Sequence, residues 1–375
     1  MRIVFFVLRN LHLPHLMPVY RWLKALGNDD LELSFSGAQY IPSTAGQPGY
    51  GLEPEITKTL INSGIKWIDS GRLIAHKPDI VVMADADFRN GINQIGAKIV
   101  NINHGLISKG CFYSDSPLTL RENDADLICV PGSFHHDALK RTVMKPVVVT
   151  GLVKFDRIFS GELTREKALK FYGINPDKQV ILFAPTYNRE LSAVPMVTDK
   201  LRNWINDDQH LIIKLHGMSP PEWVELYRLI AEQDSRISLI TDLDLTPCLA
   251  AADVMVSDVS SAFMEFISLD KPVVLVNNPL RTSFIGFDPR DIEYVWRDVG
   301  IEVDKAEDIP EAIRMSLANP LANSKKRCEY AARLIGTKDG LASQRVGQAI
   351  IELSENRHSN QYLNPAMQMT SNVYA

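Results

Sequence analysis

Val254-Met255-Val256-Ser257-Asp258-Val259-Ser260-Ser261 runs from a short apolar strand directly into a helix start. The apolar residues at 254–256 suit a parallel strand covered on both faces. The serines and the aspartate after them are good N-cap residues. Phe263, Phe266 and Ile267 then recur at helical spacing. The N–H groups and positive dipole end of such a helix start attract phosphate oxygens. Capping is the plainer role, and both can hold at once.

The same strand-to-helix step recurs on either side. Before it, apolar runs at 3–8, 31–36, 79–83, 98–102 and 127–130 read as strands, as do 179–184, 210–215 and 236–240, with Val147 through Gly151 marking the step to the second set. After it come 272–276 and 301–303. Helical spacing is expected at 15–26, 56–63, 162–172, 193–207, 220–233, 245–252, 260–269 and 308–318. This βα alternation predicts an α/β protein of two Rossmann-like halves facing across a cleft. The expected division is 1–152 and 153–356, with a hinge near 150–160 and a polar tail at 357–375 that reads as disordered. Residues 41–52, rich in Pro, Gly and Ser, read as a mobile loop.

Two further motifs close predicted strands at the edge where open parallel sheets bind ligands. Asn103-His104-Gly105 follows the fourth strand. An imidazole there can take a proton from a hydroxyl, and Gly105 lets the backbone turn sharply beside a ligand. Lys214-Leu215-His216 ends another strand, and alternation points Lys214 and His216 the same way. Two donors on one spot suit a transferring phosphate. Ser257, Asp258, Ser260 and Ser261 are phosphate candidates, with Glu265 one turn on as a partner for ribose hydroxyls. Thr186, Tyr187 and Arg189, after the strand ending at Ala184, are secondary candidates. His12 and His15 sit at the mouth of the expected cleft, within reach of an acceptor.

Composition narrows the classes. At 375 residues two domains are the prior, and a net charge of −5 gives no reason to expect nucleic acid. The four cysteines, Cys111, Cys129, Cys248 and Cys328, lack zinc spacing. No HxxxH-plus-carboxylate pattern supports a metal, so none is expected. A GxxxxGK[ST] loop and a complete GxGxxG are both absent, against an ATPase or an ordinary dehydrogenase. The apolar stretch opening the chain is too short for a signal core or a membrane span. The expected location is cytoplasmic, at most on the inner face of a membrane.

Taken in order, these motifs resemble the CDP-glycerol glycerophosphotransferases, which prime or polymerise teichoic-acid-like chains. The matching pieces are Asn103-His104-Gly105 with Lys109-Gly110, Gly151 through Asp156, Phe183 through Tyr187, Lys214-Leu215-His216, and Ser257 through Ser261 with Leu269-Asp270-Lys271-Pro272. Asp339 through Val346 resembles the family's closing helix. Asn103, Gly217 and Glu265 depart from the usual pattern. The resemblance implies a GT-B-like arrangement and a CDP-linked polyol donor used as substrate, with no tightly bound cofactor. It implies His104 as base, His216 near the donor phosphates and the serine-rich loop as phosphate site. The acceptor would be a glycan or polyol-phosphate chain, with lipid linkage and peripheral membrane contact compatible. Two other readings stay open: a nucleotide-sugar glycosyltransferase of the same fold, and a nucleotide-binding scaffold without turnover.

Overall fold

The structure, a computed structural model, describes residues 1–42, 49–88, 90–106 and 117–355. Lys109, Gly110 and the tail 357–375 therefore lie outside the described residues, as do 43–48 of the expected loop. The described ends of that loop are tied together by an Ile41–Tyr50 bridge.

All eleven expected strands form, and Val147–Val149, at the step between the two halves, adds a twelfth. The first sheet contains β1 (Arg2–Val7), β2 (Glu32–Gly37), β3 (Ile80–Met83), β4 (Lys98–Asn101), β5 (Leu127–Val130) and β6 (Val147–Val149). The second contains β7 (Gln179–Phe183), β8 (Gln209–Ile213), β9 (Ile237–Leu239), β10 (Val254–Ser257), β11 (Val273–Val276) and β12 (Ile301–Val303). Their spatial orders are β2-β1-β3-β4-β5-β6 and β12-β11-β10-β7-β8-β9. Every pairing between these strands is parallel. Central strands such as β3 and β10 are buried at every position, because helices cover both faces of each sheet. This is the two-domain GT-B-like architecture.

Most expected helices form within a few residues of their expected ends. The stretch 193–207 does not form one helix. It divides into Val194–Val197 and a 3-10 turn at Lys200–Trp204, because Thr198 takes a positive φ of 48°. The break lets Val197, Leu201 and Trp204 all enter one core. The expected 162–172 helix begins only at Arg165, where the Thr164 hydroxyl accepts the Lys167 N–H.

The closing helix Ala342–Ser354 returns to the first half. Val346, Ile350 and Leu353 join the core beneath β1, and Gly347 lies flat against the Trp22 indole of the helix Leu13–Ala25. A division cut at 152/153 groups this helix with the second half, whereas its apolar face belongs to the first. The link is reinforced at the hinge: Asp156 accepts the N–H groups of Ala342 and Ser343 at 2.9 and 2.7 Å. Among the described residues no helix is long and apolar enough to cross a membrane.

Candidate active site

A cleft of about 850 Å³ opens between the carboxyl ends of the two sheets. That volume suits a ligand of nucleotide size. His104, Lys214, His216, Tyr187, Ser260, Ser261 and Glu265 all line it.

His104 is set by its neighbours. Asn103 has φ 54° and Gly105 φ 97°, so the chain turns left-handed on both sides of the imidazole. Asparagine tolerates that conformation when its side chain is bonded locally. Here Asn101 Oδ1 accepts the Asn103 N–H at 3.1 Å, and Asn101 Nδ2 donates to Glu122 at 2.8 Å. His104 Nδ1 lies 2.9 Å from the Ala84 carbonyl oxygen. A carbonyl only accepts, so the proton of the neutral ring sits on Nδ1 and its lone pair on Nε2. A side chain at Gly105 would come within 2.9 Å of Glu265 Oε1, so the site needs glycine for space as well as for φ.

His216 is held in the opposite sense. Its Nδ1 accepts the Met218 N–H at 3.1 Å, which leaves the proton of the neutral ring on Nε2. The ring leans on Tyr187, with centroids 4.8 Å apart. Lys214 donates to the Leu215 carbonyl, and burial lowers its pKa. Ser260 caps the helix Ser261–Ile267 through the Ala262 N–H.

Other sequence candidates serve the frame. The Asp258 carboxylate is fully buried and accepts the N–H groups of Thr186 and Ala193, tying the loop after β7 to β10. The Ser257 hydroxyl donates to the Ala184 carbonyl. Arg189 pairs with Glu222 and lies over Trp223. Thr186, Ser257, Asp258 and Arg189 do not line the cleft. Glu265 is buried, not on a solvated helix face, and its carboxylate pairs with Lys154 of the hinge at 2.7 Å.

Several lining groups were not singled out as site residues. Arg9, Asp85, Asp87, Thr119, Arg121, Glu122 and Lys154 all reach the cleft. Asp85-Ala86-Asp87 lies just past the end of β3, so its position at a strand's carboxyl edge was a usable signal. Burial pushes the Glu122 carboxyl up to about 7. His12 stacks on His104 with centroids 4.9 Å apart and planes at 25°. Burial, then the nearby His104, Arg9 and His15, hold the His12 pKa well below its usual value.

The fold also brings together a set of potential metal ligands that sequence spacing did not suggest. Ligand atoms of His12, Asp85 and His104 lie within 4.8 Å of one another. Lone pairs of stacked, nearly parallel imidazoles do not converge on one ion, and Arg9 already pairs with Asp85 at 3.1 Å. The set therefore fits a metal poorly.

Comparison with known proteins bears on the family and the fold. Residues 112–352 match the family model described as CDP-Glycerol:Poly(glycerophosphate) glycerophosphotransferase. A teichoic acid glycerol-phosphate primase of Bacillus spizizenii is 32% identical over 106 residues, covering 28% of this chain and 26% of the relative. The primase of Bacillus subtilis is 28% identical over 107 residues, covering 28% of this chain and 27% of the relative. The matched stretch thus spans about a quarter of these relatives. A structure of a variant of the wall teichoic acid polymerase TagF with CDPG superposes with a TM-score of 0.70 at 13% identity, covering 95% of this chain and 89% of that one. At that identity the likeness concerns the fold. With more than half of the chain matched by the family model, this protein belongs to the CDP-glycerol:poly(glycerophosphate) glycerophosphotransferase family.

Proposed function

We propose that the protein transfers glycerol phosphate from CDP-glycerol to a hydroxyl of a glycan or polyol acceptor and releases CMP. The observation that carries this reading is the opposite hydrogen bonding of the two cleft histidines. His104 presents a lone pair at Nε2 and His216 presents an N–H. One suits a hydroxyl about to lose its proton, and the other a phosphate gaining charge.

In the proposed reaction the acceptor oxygen attacks the phosphorus that bears glycerol. Its proton passes to His104 Nε2. The bond from that phosphorus to the bridging oxygen breaks, and the electron pair leaves on CMP. His216 donates to the phosphate oxygens, with Lys214 and Ser261 beside it on the same wall. Ser260 orders the start of the adjoining helix. The phosphoryl group is stabilised by positioned donors rather than by covalent chemistry.

A lipid-linked acceptor met at a membrane face is part of this proposal. It is supported by Ile285, fully exposed between Phe284 and Gly286 of the cleft lining. Flotation of the full chain with anionic vesicles tests that part; protein left at the bottom of the gradient rejects it.

Product analysis tests the reaction. The chain, CDP-glycerol and a glycan acceptor should yield CMP and an acceptor heavier by one glycerol phosphate. Release of a nucleoside diphosphate from a nucleotide sugar, with a sugar added to the acceptor, would replace this reading with glycosyl transfer.

A further inference from the structure

We infer that Glu122 is a positioning residue for His104: its carboxyl acts through the side chains of Asn101 and Asn103 to hold the turn that aims the imidazole. The catalytic half of this inference rests on the transferase reading above. The residue before His104 is Asn103, a buried, left-handed residue at a position where the chain departs from the family pattern. A left-handed residue that is not glycine persists only when its surroundings hold it.

Three hydrogen bonds hold Asn103. Its N–H donates to Asn101 Oδ1 at 3.1 Å, its Oδ1 accepts from Asn101 Nδ2 at 3.3 Å, and its Nδ2 donates to the Cys129 carbonyl at 3.4 Å. Two of these come from the Asn101 amide, so the turn depends on which way that amide points. A backbone N–H only donates, which sets Asn101 Oδ1 toward it. Asn101 Nδ2 then meets Glu122 Oε2 at 2.8 Å, the shortest bond of the set. Asn101 is fully buried. Without the Glu122 oxygen its amide would keep an unsatisfied N–H or turn over, and a turned amide would present NH2 to the Asn103 N–H.

Glu122 is anchored apart from the turn it supports. It lies on the 3-10 turn Arg121–Asp124, and the neighbouring Asn123 Oδ1 accepts the Met144 N–H at 2.7 Å. Ionised or neutral, a carboxyl can accept from Asn101 Nδ2, so the role needs an acceptor and not a charge. A shift of the turn would draw His104 Nδ1 away from the Ala84 carbonyl that fixes its proton. A base misplaced by about 1 Å can cost roughly 100-fold in rate.

Glu122→Met keeps the volume and removes the strong acceptor. It should lower kcat with CDP-glycerol by roughly 10- to 100-fold while KM for CDP-glycerol stays within about twofold. Glu122→Gln keeps an acceptor and should remain within about threefold of the parent. Glycine adopts φ 54° unaided, so in an Asn103→Gly background Glu122→Met should cost less than about threefold. Additive losses in that double variant, a raised acceptor KM with kcat kept, or full activity of Glu122→Met overturns the inference. A second readout needs no turnover: long-range 1H–15N NMR of the histidine-labelled chain, with the His104 signal identified by its loss in His104→Ala. The parent and Glu122→Gln should show neutral His104 protonated at Nδ1, and Glu122→Met should move it toward the Nε2 tautomer. The same tautomer in all three overturns the inference. A parent that releases no CMP sinks the transferase reading instead, and the NMR comparison still decides whether Glu122 positions the ring.

Discussion

The two walls of the cleft are built from the same topology and carry opposite chemistry. Each is the carboxyl edge of a six-stranded parallel sheet. The first-sheet wall presents the carboxyl groups of Asp85, Asp87 and Glu122 beside Arg9 and Arg121, and the lone pair of neutral His104; the second-sheet wall presents Lys214, the His216 N–H and the capped helix at Ser260. Backbone atoms set this difference. A carbonyl beside His104 and an amide beside His216 select opposite tautomers of the same side chain. The fold supplies the facing edges, and the local turns decide which edge accepts and which donates.

That contrast breaks most cleanly at the histidines. His104→Ala should lower kcat by roughly 100- to 10,000-fold, the usual worth of a general base, while CDP-glycerol binding measured by calorimetry is kept. Near-normal turnover would reject the base role. His216→Ala should cost roughly 100- to 1,000-fold, as when one charge-stabilising donor is removed. If His216→Ala changes only KM, its hydrogen bond is equally strong in the ground state.

The ion pair joining the walls comes next. Lys154→Met leaves Glu265 buried without its cation and should cost about 3 kcal/mol in a urea unfolding curve. Adding Glu265→Gln should recover part of that loss; no recovery would mean that Lys154 acts by packing alone. Gly105→Ala must adopt φ 97° and crowd Glu265, for an expected loss of about 1–3 kcal/mol.

The smallest effect sharpens the acidic side. Burial raises the Glu122 pKa from 4.5 to about 7, so the folded chain holds that proton more tightly than the unfolded one. This contribution is fully present below the unfolded value and is lost as pH rises through the folded one. Glu122→Gln should therefore gain stability over the parent on going from pH 5 to pH 8, by about 2 kcal/mol. A constant difference between the two proteins across that range would show that Glu122 ionises freely in the fold.

Much of this was legible in the chain. Runs such as Val180–Phe183 and Val254–Val256 are buried on both faces, so their pattern is local and readable. His104, Lys214 and His216 were visible because each stands at the end of such a run. Asp258 looked like a phosphate ligand because a serine- and aspartate-rich helix start serves both capping and binding; its buried bonds to Thr186 and Ala193 distinguish the two. The break at Thr198 was hidden because its cause is the packing of Trp204 and Leu201 into a distant core.

The sequence by itself determined two parallel sheets, the strand ends where chemistry could gather, and a family resemblance carried by short motifs. Those features depend on residues a few positions apart. Only the tertiary structure decided which nitrogen of each neutral histidine carries the proton, since the partner atoms are the Ala84 carbonyl twenty residues away and an amide oriented by a turn. It alone stacked His12 on His104, placed Asp85 beside them, and joined Glu265 to Lys154 across the hinge. Hydrogen bonds and ion pairs act over a few ångströms, and no pattern of spacing along a chain reveals which distant residues folding will bring that close.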